Sequence, residues 1–176
     1  QTARDLRKKI SAKDIESLKI ITYGSAYKGA VEDPELWAPK TRETADHSML
    51  IAIALGLIDG TITPESFETE RFLDQDVLNL ISKTEVEISQ EFSAMSPGVR
   101  TCQLIAKNDV GKSFTSKLSL TAEDIERGPS DAEIQSKFYS LSERVMSNEK
   151  ARALFDASMD LESMPKISTL VDLTEI

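Results

Sequence analysis

The spacing of apolar and polar positions changes several times along the chain, and each change marks an element. In TARDLRKKI, residues 2–10, Ala3, Leu6 and Ile10 recur every three to four positions. That spacing predicts the end of a charged helix, with Ser11 and Asp14 supplying turn or cap chemistry after it. IESLKIITYGSAY is rich in β-branched and aromatic residues and partly alternates, so a strand is expected from about Ser17 to Ala26. Tyr23 and Tyr27 would then share one strand face and serve packing. Residues 28–40, with Gly29, Pro34 and Pro39, read as a loop whose Trp37 plugs an edge of the core.

Thr41 to Asp59 carries the strongest helical pattern. Thr41 and Thr44 are candidate caps, Asp46 falls in the first turn, and Gly60 follows as a stop. Its apolar residues, among them Met49, Leu50, Ile51, Ile53, Leu55 and Leu57, surround the helix axis, which predicts burial on most sides. Thr63-Pro64-Glu65-Ser66 is a second helix start, and short helices are expected over about 64–71 and 74–82. TEVEISQ, Thr84 to Gln90, alternates and predicts a strand. Gly98–Lys107 and Lys112–Leu120 predict a hairpin around Asn108-Asp109-Val110-Gly111, with Gly111 taking a positive φ. After Gly128-Pro129, a cap at Ser130 or Asp131 opens a helix to about Met146. Asn148 would cap another to about Met164, and a last short helix fits residues 168–173.

The fold class is therefore α+β: a small domain of antiparallel strands and helices over residues 1–128, then a helical segment over 129–176. Residues 1–10 read as the end of a preceding helix, and a first residue Gln1 suggests a piece of a longer protein.

Composition narrows the function. Among 176 residues the net charge is −9 and no basic block stands out, which argues against nucleic acid or anionic membrane as a main partner. The longest apolar run, Met49 to Ile58, is half of what a membrane-spanning helix needs, roughly 20 residues. A single cysteine, Cys102, cannot form an internal disulfide, and with one histidine it cannot complete a zinc site. Cys102 reads as a small buried hydrophobe, the charge runs 65–71 and 123–127 as solvated faces, and a cytoplasmic location is the default without a leader. No nucleophile elbow, dinucleotide fingerprint or phosphate loop is present; Val110-Gly111-Lys112-Ser113 is a turn.

The remaining candidate chemistry is Lys40-Thr41-Arg42-Glu43-Thr44-Ala45-Asp46-His47-Ser48, at the mouth of the buried helix. Free N–H groups at such a terminus, with Lys40 and Arg42, suit a small polycarboxylate. The same terminus would hold His47 neutral. On a simpler reading His47 caps its own helix while Asp46 and Arg42 pair on the surface.

The segment TRETADHSMLIAIALGLIDGTITPESF resembles the MmgE/PrpD family, which includes 2-methylcitrate dehydratase, cis-aconitate decarboxylase and iminodisuccinate epimerase. The similarity rests on A-D-H-S at 45–48, preceded by Pro39-Lys40-Thr41-Arg42-Glu43 and followed by D-G-x-[IV]-T at 59–63. Pieces at 14–18, 75–77, 83–87, 130–133 and 137–138 agree in order, so nearly the whole chain is covered, as the C-terminal part of such a protein. The resemblance implies a lid followed by helices that return to a large N-terminal helical domain, an active-site cleft between the domains, and homodimers. It implies a lyase acting on a small di- or tricarboxylate by proton abstraction next to a carboxylate, without metal or organic cofactor. On this sequence it carries His47 as a cleft acid/base or orienting residue. Asp46 and Ser48 are its supports on the substrate side, and Lys40 and Arg42 are inferred as carboxylate ligands. The 176-residue piece alone is expected to be inactive. Many members have Tyr four residues after the motif His, on the same helix face, and Pro one residue earlier; here Ile51 and Leu50 stand there. The Gly- and Pro-rich lead into the late helix is also changed, to TAEDIERGPSDAE. The alternative is a non-catalytic binding or assembly module that keeps the fold without the chemistry.

Overall fold

Four strands, β1 (Ser17–Thr22), β2 (Thr84–Ile88), β3 (Val99–Lys107) and β4 (Ser113–Thr121), form one sheet in the order β2-β1-β3-β4. β3 and β4 form the expected hairpin, registered from Val99 opposite Thr121 to Lys107 opposite Ser113, and Gly111 in its turn has φ 77°. β1 runs antiparallel to β3 but parallel to β2, with Leu18 opposite Thr84 and Thr22 opposite Ile88. The sheet is thus mixed, not purely antiparallel. A parallel pair needs a long crossover, and the helices between residues 23 and 83 provide it.

The computed structural model describes residues 1–175 and separates into two compact units, Gln1–Ile125 and Glu126–Ile176. The first unit contains the sheet and the helices α1 (Thr2–Arg7), α2 (Gly24–Ala30), α3 (Arg42–Asp46), α4 (Met49–Ile58), α5 (Pro64–Glu68), α6 (Gln75–Ser82) and α7 (Gln90–Met95). Helix α8 (Ala122–Arg127) follows β4. The second unit contains α9 (Asp131–Ser142), α10 (Asn148–Met159) and α11 (Ser168–Thr174). No described helix is long and apolar enough to cross a membrane.

The core of the first unit lies where α1, α4 and α6 meet the sheet face carrying Leu18, Ile20, Leu104 and Ala106. Leu6, Ile51, Leu55, Phe72 and Val77 fill it. The uninterrupted apolar run of α4 is explained by this position, since seven of its ten residues are buried. Gly56 permits the close approach of α1: a Cβ there would stand 2.9 Å from the Cβ of Ala3.

Several sequence expectations are corrected by long-range pairing. β1 ends at Thr22, not Ala26, because its parallel partner ends at Ile88 and Ser89 N–H closes the pair on the Thr22 carbonyl at 2.8 Å. The chain then turns into α2, where the Gly24 N–H donates to Ser93 Oγ at 2.9 Å. Tyr23 and Tyr27 consequently belong to a helix start and its first turns rather than to one strand face. Helices α7 and α8 have short, weakly periodic sequences and were not anticipated. α9 opens on a capping box between Ser130 and Glu133, while α10 is capped by Ser147, one residue before Asn148.

Candidate functional site

The predicted continuous helix from Thr41 to Asp59 is two helices. Thr41 Oγ1 accepts the Thr44 N–H at 3.2 Å and caps α3, which lasts five residues. His47 is the C-cap of α3, and Ser48, with extended backbone at φ −84° and ψ 119°, is the N-cap of α4. Ser48 Oγ accepts the Ile51 N–H at 3.2 Å and donates to the Leu36 carbonyl at 2.6 Å. A serine engaged at a cap competes with helix continuation, because its hydroxyl satisfies N–H groups that have no carbonyl partner.

The break reverses the electrostatics expected for His47. The imidazole does not sit in the positive first turn of the buried helix but follows the last turn of α3, where carbonyls point outward. Its Nδ1 lies 2.8 Å from the Glu43 carbonyl and 2.6 Å from Asp46 Oδ1. Both partners are acceptors, so Nδ1 carries the proton and Nε2 is the nitrogen left for chemistry. The Glu43 carbonyl first, and then the Asp46 carboxylate, raise the His47 pKa above its ordinary value. The shift is thus opposite in direction to the one expected from a helix N-terminus.

The sign of this shift fixes a pH dependence. A histidine whose folded pKa lies above its unfolded value stabilises the fold fully below about 6.5. That contribution is lost as pH rises through the folded pKa. Because His47 is the only histidine, its ring C–H resonances titrate without overlap. We expect a midpoint above 6.5 that moves down in Asp46→Asn; a wild-type midpoint at or below 6.5 would contradict the geometry.

The other expected site residues divide by burial. His47 and Asp46 side chains are 66% and 39% exposed. Lys40 and Arg42 are exposed too, and among the described residues neither is held in a hydrogen bond or ion pair. Asp46 pairs with His47, so the surface pair Arg42–Asp46 is not formed. Ser48 is buried with its hydroxyl used in both directions, which corrects its assignment to the substrate side: it holds the junction together. Ile51, expected on the face of His47, is fully buried in the core. The helix break removes the common face.

Sequence reasoning missed Arg71, read there as part of a solvated run. Its side chain is only 21% exposed. It binds Asp76 through both terminal nitrogens at 2.6 and 2.8 Å, Asp59 at 3.1 Å and Asp74 at 2.9 Å. Asp59 of the D-G segment is thereby tied to the start of α6, and Arg71 lowers the pKa of Asp76. The spacing of Arg71 to Asp74 and Asp76 was the available signal. Trp37 sits beside the junction half-buried, donating Nε1–H to the Val31 carbonyl at 2.9 Å, and burial pushes the Cys102 thiol pKa up.

Residues 1–162 match a family model described as the MmgE/PrpD C-terminal domain. No curated protein matches the chain significantly.

Proposed function

The chain belongs to the MmgE/PrpD family, and from that premise we propose that it is part of an enzyme that abstracts a proton next to a carboxylate of a small di- or tricarboxylate. Members of the family are generally dehydratase- or lyase-type enzymes. Dehydration, decarboxylation or epimerisation would each follow from that first step. The observation that carries the reading is the state of His47, with an oriented imidazole, Nδ1 anchored on Glu43 and Asp46, and an exposed Nε2.

Anchoring at Nδ1 supports Nε2 as a proton acceptor, and the same two partners raise the imidazole pKa. The unpaired Lys40 and Arg42 supply charge that a substrate carboxylate would neutralise. Carboxylate charge held in this way needs no metal or organic cofactor. Asp46 acts by orienting His47, and Ser48 acts as a positioning residue through the backbone. In this reading an N-terminal helical domain of the same cytoplasmic protein completes the crevice. The assembly is a homodimer, and neither nucleic acid nor membrane is a partner.

The test is made on the full-length protein with citrate-like acids as substrates and ligands. His47→Ala is expected to lower turnover by about 10²–10⁴-fold, the usual range for a general acid or base. It should also reduce the thermal stabilisation the acid gives, because a ligand stabilises by binding the native state. Unchanged turnover and equal thermal shifts would refute the assignment. The burial of Ile51, where many members carry a hydroxyl, favours a second reading: a binding module without turnover. Wild-type protein stabilised by such acids yet inactive on all of them would establish that second reading.

A further inference from the structure

The first unit contains a cavity of about 750 Å³ between the end of α1, residues 11–15, the end of α4 and the face of α6 that carries Asp76, Asn79 and Leu80. His47 precedes the first residue of α4, whereas Leu57 and Ile58, at the helix's other end, line the cavity. Ten helical residues span about 15 Å, so this is a different place from the imidazole. Its volume lies within the range of small-molecule sites, about 300–1,000 Å³.

The charge of the lining is opposite to that of the protein. The chain carries −9 overall, yet Arg7, Lys8, Lys9, Lys13 and Lys83 line the cavity against one acid, Asp76. That acid is occupied by Arg71. Part of the concentration has a structural explanation. Arg7 donates to the Leu57 and Ile58 carbonyls at 3.5 and 3.1 Å, and Lys9 donates to the Thr115 carbonyl at 2.6 Å. Carbonyls do not neutralise a cation, so those positive charges remain. Lys8 and Lys83 are paired with Asp5 and Glu16 on the surface, where pairs are weak and readily exchanged. Lys13 has no ion-pair partner among the described residues. Binding the α4 and β4 carbonyls does not account for it.

We propose that this cavity binds a phosphorylated small molecule. The gathered positive charge matches a phosphate group, about −1.5 to −2 at neutral pH, better than the single charge of a carboxylate; ammonium groups bind phosphate as compact point charges, and the Arg7 fork, which suits either anion, is already turned to the α4 carbonyls. Ile15, Leu57 and Leu80, almost wholly buried, form the floor beneath the basic rim, on which the organic body rests. Lys13 and Lys8 receive the phosphate at the exposed rim.

Titration calorimetry of the full-length protein with pyrophosphate, at low ionic strength, tests the site. Saturable binding is expected that weakens with added salt, as charge contacts are screened. Lys13→Gln should raise Kd about tenfold, or ~1.4 kcal/mol, and Lys8→Gln with Lys13→Gln further still. His47→Ala should leave this binding unchanged, which separates the site from the proposed reaction centre. Absence of binding, equal Kd in the lysine variants, or loss of binding in His47→Ala would overturn the proposal. Citrate binding as tightly as pyrophosphate, with the same dependence on Lys13, would overturn the assignment to phosphate.

Discussion

Leu55→Ala is expected to destabilise the chain by about 2–5 kcal/mol, the range for truncating a fully buried leucine. Leu55 has no exposed surface and stands in the middle of α4, at the centre of the core of the first unit. Truncation removes apolar contact on every side, and the surroundings have little freedom to collapse into the space. One residue along, α1 already approaches α4 so closely that a Cβ on Gly56 would meet Ala3 at 2.9 Å. A domain of this size is stable by only about 5–15 kcal/mol, so the urea midpoint should fall sharply with little change in slope. Met159→Ala, at a residue 57% exposed, is the control and should change stability by less than about 0.5 kcal/mol. Equal effects from the two substitutions would mean that the core is not where α4 places it.

Ser48→Ala is expected to cost about 2–4 kcal/mol from two separate losses. Removing a serine N-cap costs about 1 kcal/mol. Leaving the buried Leu36 carbonyl without its donor costs about 1–3 kcal/mol more. The His47 titration should keep its raised midpoint in this variant, because the Glu43 carbonyl and Asp46 both lie in α3, on the other side of the break. A loss below about 0.5 kcal/mol would show that Ser48 does not join the two helices. A midpoint that returns to 6.5 would show that the imidazole depends on Ser48 directly.

Much of the fold was legible locally. The apolar run of α4, the β3–β4 hairpin and a helix cap at Ser130 or Asp131 each depend on residues near one another in sequence, and local patterns report local hydrogen bonds. The segment Ala45 to Ser48 was legible for a different reason: it matches a family pattern. What that pattern did not reveal was its geometry. A continuous helix through His47 satisfies every local rule, and the donor that ends it bonds a carbonyl twelve residues earlier, at Leu36. The sign of the His47 shift was lost with it, since an imidazole at a helix's end sees carbonyls and one at its start sees N–H groups.

Strand direction shows the same division. TEVEI alternates whether its neighbour is parallel or antiparallel, so its pattern identifies β2 as a strand, while its parallel course beside β1 emerges only from the folded sheet. Arg71 likewise looks like one charge in a polar run until the chain brings Asp59, Asp74 and Asp76 around it. For this protein the residue order was enough for the burial of α4, the β3–β4 hairpin and the family. Packing alone decided where helices break, which nitrogen of His47 faces outward, and where five cations gather on an acidic chain. Periodicity is a property of neighbours in sequence, whereas a hydrogen bond or a cavity is made by residues that meet only once the chain has folded.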